Sequence, residues 1–352
     1  RKLLSMPSSG NQLMNFNEFQ STGLRLYKIL VAPVRKYLIS DKVVISPDNY
    51  LSYLPFETIP VTTLPEGEIR YKDLHYLMND FNISYTYSAT FLAESGKKES
   101  SAVNKLIAFA PDYPEPIDIQ SVLMSRQAVM GKLNDLPYAR QEAAYVSNIT
   151  DGTLYENSDA TESVFKRESG KYDIIHLAMH TILNDKDPMR STLIFSHTKD
   201  SIDDGFLKTY EIYGVPLKAK MVVLSSCNTG AGQLNSGEGI LSLARGFIYS
   251  GSQSVVMSMW EIEDRSGTDI VKMFYSNLKK GYTKSDALKK ARISFLKNSD
   301  NLRSHPYFWS ALVVYGNNSS LYHDNSFLIS IIAAIIILAF SVGFYFLKRK
   351  YS

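Results

Sequence analysis

The sequence predicts an α/β protein with a mainly parallel, buried β-sheet and one C-terminal transmembrane helix. Short apolar runs rich in β-branched residues alternate with segments whose apolar residues recur at helical spacing, as in βαβ units. A hydrophobic fraction of 45% gives a chain of 352 residues enough apolar side chains for a core. One long segment near the C-terminus carries no charge.

Seven segments are predicted to be strands, and amphipathic helices lie between most of them. The predicted strands are Val43–Ser46, Ile83–Thr86, Lys105–Ala110, Tyr172–Met179, Met221–Ser226, Ser254–Trp260 and Ala311–Tyr315. The predicted helices are Ala139–Asn148, Ala160–Arg167, Gly237–Tyr249, Thr268–Lys280 and Lys284–Lys297. Thr283, with Asp286 three positions later, indicates the start of the last helix, and Gly281 the end of the preceding one. Helices on both sides of a parallel sheet predict a three-layer sandwich.

The transmembrane helix is predicted at residues 326–347, SFLISIIAAIIILAFSVGFYFL. Twenty-two uncharged residues at about 1.5 Å per residue cross a hydrocarbon core of about 30 Å. Lys348, Arg349 and Lys350 follow directly, whereas residues 316–325 contain no Lys or Arg. The positive-inside rule therefore predicts a cytoplasmic tail and an extracytoplasmic body. Tail-anchored insertion is the alternative, and it would put the body inside the cell.

The composition argues against several kinds of binding site. The net charge is only +3 and the basic residues are scattered outside the tail, so nucleic acid is not an expected partner. The single cysteine, Cys227, rules out an intramolecular disulfide and a cysteine-based zinc cluster. The glycines at 230, 232, 237 and 239 lack the spacing and the lysine of a phosphate-binding loop. No cofactor is predicted.

Two chemically reactive side chains follow predicted strands. Cys227 comes directly after the run at 221–226, and His180 directly after the run at 172–179. The carboxyl ends of parallel strands gather at one edge of a sheet, where α/β proteins bind their ligands. An imidazole beside a thiol promotes its ionisation and then protonates a departing amine. The backbone N–H groups of Cys227 and Thr181 are the candidate donors for the oxyanion.

The motifs around these residues resemble the CHAT domain, in the same order and with similar spacing. The motifs are HLAMH (176–180), VVLSSCNTG (222–230), GEG (237–239), SLAR (242–245), SMW (258–260) and HPYFW (305–309). The resemblance extends over roughly Ser21 to Asn317. The 47 positions from His180 to Cys227 are close to the spacing of about 50 between the same residue types in caspases.

This resemblance implies a caspase-like fold of the caspase and separase clan and a Cys227/His180 dyad that hydrolyses peptide bonds. CHAT domains commonly follow tetratricopeptide repeats, so we expect a repeat region or partner protein and a bacterial origin. The implied organisation is a linker (1–20), an N-terminal CHAT part (21–104), a catalytic part (105–317), a linker (318–325), the transmembrane helix (326–347) and a basic tail (348–352). One departure is Thr181, where the family usually has glycine, a residue that permits backbone angles unfavourable to β-branched residues.

A candidate substrate pocket consists of Asp187, Trp260, Glu261 and Asp264, and its acidic groups would favour a basic side chain before the cleaved bond. Three alternatives remain open. Cys227 could be a small buried residue, and the chain could be an inactive scaffold. A zinc site at His176 and His180 is disfavoured because Leu177 stands where the zinc-protease motif has glutamate; we expect His176 to be a buried, hydrogen-bonded strand residue.

Overall fold

The computed structural model describes residues 12–65, 67–95, 104–114, 117–118, 132–184, 186–197, 202–225, 238–260 and 263–322. The α-helices are α1 (Gln12–Leu26), α2 (Ala32–Arg35), α3 (Leu77–Asp80), α4 (Ala89–Ser95), α5 (Pro137–Thr150), α6 (Glu162–Glu168), α7 (Thr209–Ile212), α8 (Glu238–Tyr249), α9 (Asp264–Lys279) and α10 (Lys284–Asn298). A π-helical turn, Tyr27–Val31, joins α1 to α2.

Thirteen strands occur among these residues. They are β1 (Lys42–Ile45), β2 (Asn82–Tyr85), β3 (Leu106–Ala110), β4 (Ile117–Asp118), β5 (Lys132–Leu133), β6 (Thr153–Glu156), β7 (Ile174–Leu177), β8 (Thr181–Ile182), β9 (Thr192–Ile194), β10 (Phe206–Lys208), β11 (Met221–Leu224), β12 (Ser254–Ser258) and β13 (Leu312–Gly316).

Eight strands form one sheet in the order β1-β2-β13-β12-β11-β7-β3-β6. Every pairing in it is parallel except that of β12 with β13. The prediction of a mainly parallel sheet is therefore confirmed. The five adjacent strands β12, β11, β7, β3 and β6 all run in one direction, so they share a carboxyl edge and an amino edge. β4 with β5, and β8 with β9 and β10, form two small antiparallel sheets.

Helices cover both faces of the large sheet. α5, α9 and α10 pack together on one face; there Tyr145 of α5 and Ser276 of α9 share a hydrogen bond of 2.8 Å between their hydroxyl groups. α6 and α8 lie on the other face, where the rings of Phe165 and Phe247 meet edge to face at 6.4 Å. Strands β3, β7, β11 and β12 are fully buried, as expected for a sheet covered on both sides. The result is the predicted three-layer arrangement.

The last predicted helix begins as its sequence indicates. The Thr283 hydroxyl accepts a hydrogen bond from the Asp286 backbone N–H at 3.3 Å and donates to the Asp286 carboxylate at 2.9 Å. Gly281 has a φ of 86°, which lets the chain leave α9 in a left-handed conformation. Two antiparallel helices joined by a short turn result, so that the end of α9 and the start of α10 lie at the amino edge.

Several predictions concern residues outside the described ranges. Cys227, Glu261 and the apolar segment 326–347 belong to this group. Within the described ranges, no helix is both long and apolar enough to span a bilayer. Residues 94–104, which end the N-terminal CHAT part, are described only at their two ends, and Glu94 and Ser95 belong to α4.

Candidate active site

His180 lies just beyond the carboxyl end of β7, three residues after Leu177. Leu177 is in register with Leu224 of the neighbouring strand β11, and the Ser225 backbone N–H donates to the Leu177 carbonyl at 3.0 Å. Cys227 follows Leu224 by the same three positions in the sequence. Each residue of the predicted dyad therefore follows one of two paired leucines by three positions in the sequence.

The His180 ring is held by a backbone carbonyl. Its Nε2 lies 2.6 Å from the carbonyl oxygen of Asn134. A carbonyl oxygen only accepts hydrogen bonds, so Nε2 carries the hydrogen and the neutral ring keeps its lone pair on Nδ1. Nδ1 is buried and makes no hydrogen bond with any described residue. The ring therefore has one nitrogen fixed and the other nitrogen left as a base.

The His180 backbone is positioned by the hydroxyl of Tyr113. The His180 N–H donates to the Tyr113 Oη at 3.1 Å, and that hydroxyl donates to the Ile194 carbonyl at 2.7 Å. In return, the Ile194 N–H donates to the His180 carbonyl at 3.0 Å. In a regular antiparallel ladder, His180 and Ile194 would exchange both bonds directly. The tyrosine hydroxyl is therefore inserted into the ladder beside the catalytic candidate.

Burial governs the charge of His180. The side chain is almost fully covered, with 4% of the residue exposed, and burial lowers the pKa of His180 below 6.5. The hydrogen bond to the Asn134 carbonyl and the negative charges of Asp264 and Asp135 act in the opposite direction on this pKa. Burial therefore favours the neutral imidazole, which is the state required of a general base.

Thr181 begins β8 and is buried. It stands opposite Leu193 in a pair that does not exchange ladder hydrogen bonds, so its backbone N–H is directed away from β9. The expectation that threonine would meet unfavourable backbone angles at this position is not realised, because the non-glycine residues with positive φ in the described ranges are Asn49, Asp151 and Asn157.

The candidate pocket residues have distinct environments. Trp260 is 6% exposed and donates from its indole Nε1 to the Tyr307 carbonyl at 3.1 Å. Asp264 begins α9 and is close enough for its charge to act on His180. Asp187 is half exposed and pairs with Arg190 at 2.9 Å, as expected of a loop residue. The structure thus groups Asp264 with His180, and it engages Asp187 within its own loop.

His176 is the buried strand residue that the sequence predicts. Its Nδ1 lies 3.2 Å from the Tyr275 hydroxyl and its Nε2 lies 3.0 Å from the Glu142 carboxylate. Both partners belong to the helices on one face of the sheet, whereas His180 lies at the carboxyl edge. Among the described residues, no group of three or more His, Cys, Asp or Glu side chains is placed to hold a metal ion.

Sequence reasoning missed two groups that contact His180. Asn134 acts through its main-chain carbonyl, which every residue type has, so its identity carries no signal. Tyr113 follows β3 by three positions. The rule that found His180 and Cys227, namely to search just beyond the carboxyl ends of parallel strands, would also have found Tyr113.

The CHAT domain family matches residues 20–317. This chain belongs to the CHAT domain family. The chain is also 22% identical over 345 residues to human tetratricopeptide repeat protein 28, an alignment that covers 86% of this chain and 13% of that protein. The mouse protein of the same name is 23% identical over 340 residues. The CHAT chain spans about an eighth of the length of these curated relatives.

Solved structures also align with this chain, at low sequence identity. The separase–securin complex of Saccharomyces cerevisiae aligns with a TM-score of 0.43 and 14% identity, covering 75% of this chain and 15% of that one. The complex of the pro- and mature domains of Porphyromonas gingivalis RgpB aligns with a TM-score of 0.45 and 9% identity, covering 88% and 70%.

Proposed function

We propose that this CHAT protein is a membrane-anchored cysteine endopeptidase that uses Cys227 as nucleophile and His180 as general base. The observation that carries the proposal is the placement of His180. Its Nε2 is bound to the Asn134 carbonyl, and its buried Nδ1 makes no hydrogen bond with any described residue. The strand before His180 is in register with the strand that precedes Cys227 in the sequence. Membership of the CHAT family supports the same reading.

In the proposed reaction, Nδ1 of His180 accepts the proton of the Cys227 thiol, and the thiolate attacks the carbonyl carbon of the substrate peptide. The backbone N–H groups of Cys227 and Thr181 stabilise the oxyanion that forms. The imidazolium then donates its proton to the departing amine, which leaves a thioester on Cys227. Water hydrolyses this thioester and His180 again removes the proton, so the free carboxylic acid and the thiol are regenerated.

The substrate is proposed to be a protein or peptide with a basic side chain before the cleaved bond. Asp264 lies near enough to His180 to affect its pKa, so a negative charge accompanies the base. Trp260, Glu261, Asp264 and Asp187 are the proposed pocket residues. Because the similar mammalian proteins are named for tetratricopeptide repeats, we also propose that a repeat region or a partner protein delivers the substrate.

The proposed location is a membrane, with the body outside the cytoplasm and the basic tail inside. The support is the uncharged segment 326–347 and the cluster Lys348 to Lys350. Protease treatment of intact cells tests the orientation, because an extracytoplasmic body is digested and a cytoplasmic body is protected.

The test of the chemistry compares the full chain with Cys227→Ala and His180→Ala on a diverse peptide library. We expect both variants to lose cleavage. His75→Ala is the matched control, since His75 is half exposed and pairs with Asp80 at 2.7 Å. Iodoacetamide labelling adds an independent readout, because Cys227 is the only thiol. Cleavage that survives His180→Ala contradicts the dyad, and an intact chain that neither cleaves nor reacts with iodoacetamide is a scaffold.

A further inference from the structure

The described chain ends at the edge of the sheet opposite to His180. Gly316, the last residue of β13, pairs with Ser254, the first residue of β12. β13 therefore ends at the amino edge, where β12, β11, β7 and β3 begin. His180 lies beyond the carboxyl end of β7, and the six steps of chain from Ile174 to His180 span roughly 20 Å in extended form. The proposed active site and the C-terminal exit are on opposite sides of the body.

Polar contacts fix the segment 317–322 along this amino edge. The Lys284 ammonium, which is buried, donates to the carbonyls of Asn317 and Ser319 at 2.9 and 3.0 Å. The Asn104 amide, just before β3, donates to the Leu321 carbonyl. The Lys279 ammonium lies 4.5 Å from the centre of the Tyr322 ring. Residues 317–322 are thus packed on the body rather than extended away from it.

The surface around this exit is basic and contains exposed tyrosines. We call it the basic edge surface and define it as Lys218, Tyr249, Lys279, Lys280 and Tyr282. All five side chains are exposed, with Tyr249 at 75% and Tyr282 at 36%. The Leu217 N–H donates to the Ser250 carbonyl at 2.8 Å, which brings the loops that carry Lys218 and Tyr249 together.

Acidic residues are absent from the four described segments that form this surface, residues 213–220, 249–253, 279–283 and 317–322. Two carboxylates that adjoin these segments are engaged: Asp173 lies 3.6 Å from the Lys220 ammonium, and Asp286 accepts the Thr283 hydroxyl. Lysines interspersed with tyrosines are typical of protein surfaces at the boundary of a bilayer. The charge of this surface is complementary to anionic lipid headgroups.

We infer that the basic edge surface docks on an anionic bilayer and that the active site consequently faces away from the membrane. The inference rests on the proposed anchor at 326–347. Only four steps of chain separate Tyr322 from Ser326, and they reach at most about 14 Å in any conformation. The amino edge is therefore the side of the body nearest to the bilayer. Substrates are then proteins or segments well above the lipid surface, not residues at the membrane boundary.

The test uses the full chain reconstituted in vesicles with and without anionic lipid. In a Cys227→Ala background, Lys218→Cys or Met189→Cys provides a single site for an environment-sensitive fluorophore. Met189 is 38% exposed and lies in the loop after β8, on the side of His180. Lipids that carry a quencher in the headgroup should quench the label at position 218 strongly and the label at position 189 hardly at all.

The dependence of docking on charge is tested with two double variants, one at each end of the α9–α10 helix pair. Lys279→Gln/Lys280→Gln removes charge at the amino edge, and Arg265→Gln/Lys297→Gln removes equal charge at the opposite ends of α9 and α10. At about fivefold per lysine near an anionic surface, the first pair should lower the ratio of docked to undocked body about 25-fold. The second pair should leave that ratio unchanged.

The possible failures are distinguishable. A chain released from vesicles by alkaline carbonate would overturn the anchor and this inference with it. A chain that remains inserted but is quenched equally at positions 218 and 189, or that responds equally to both charge pairs, would overturn the docking surface alone. Peptide cleavage by the same preparations, with Cys227 restored, reports separately on the proposed enzymatic function.

Discussion

Replacing Tyr113 with phenylalanine should disturb both stability and the predicted base, because one hydroxyl serves two buried backbone groups. Tyr113→Phe keeps the ring, which packs 4.7 Å from the His180 ring, and removes the oxygen between the His180 N–H and the Ile194 carbonyl. A buried polar group left without a partner costs about 1–3 kcal/mol. If the ladder stays open, two groups lose their partner and the free energy of unfolding should fall by about 2–6 kcal/mol.

If the ladder instead closes, the His180 N–H bonds directly to the Ile194 carbonyl. That bond recovers about 1 kcal/mol, but His180 must then move towards Ile194 and away from its place beside Asn134. Either outcome reduces the rate of Cys227 alkylation near neutral pH, and closure also shifts the pH dependence of that rate.

Urea unfolding of the full chain and iodoacetamide labelling across pH 5–9 measure the two effects. Tyr155→Phe is the control: Tyr155 is half buried and stacks on Phe109 at 5.5 Å, and its hydroxyl makes no hydrogen bond within the described ranges. Equal stability and equal labelling profiles for Tyr113→Phe and Tyr155→Phe would contradict this role of the Tyr113 hydroxyl.

Two further predictions concern stability. Burial lowers the pKa of His305 to about 4, so between pH 6.5 and 4 the unfolded chain binds a proton that the folded chain does not. The free energy of unfolding should be highest above pH 6.5 and should fall by about 3 kcal/mol as the pH drops to 4. In His305→Asn the asparagine side chain can still accept the Tyr307 N–H, so the free energy of unfolding measured with urea should change much less over this pH range. Arg292 and Glu57 form an ion pair of 3.0 Å and are almost fully buried, so Arg292→Met should lower the free energy of unfolding by about 3–5 kcal/mol, because it leaves the Glu57 charge without its cation. Adding Glu57→Gln should restore part of that loss. A double variant no more stable than the single variant would contradict the ion-pair explanation.

The large sheet could be predicted because burial on both faces imposes continuous apolar runs. All seven predicted strands are present, with ends that differ by a few residues, and β7, predicted as Tyr172–Met179, is shortened to Ile174–Leu177. β6 was missed because it is an edge strand with half-exposed side chains, so no apolar run marks it. The small sheet of β8, β9 and β10 consists of strands two or three residues long, which are too short to establish a period.

In the candidate site, the residues chosen for their side-chain chemistry could be predicted, whereas the contacts made by the backbone could not. His180 was predictable because its function needs an imidazole, and only histidine supplies one. The group that fixes its tautomer is the Asn134 carbonyl, which reaches the ring only because β5 and the start of α5 fold against β8 and β9 through a small core of Tyr113, Leu133, Leu136, Ile182 and Ile194. That small core is separate from the main one, so mutations that loosen it should change the orientation of His180 before they unfold the sheet.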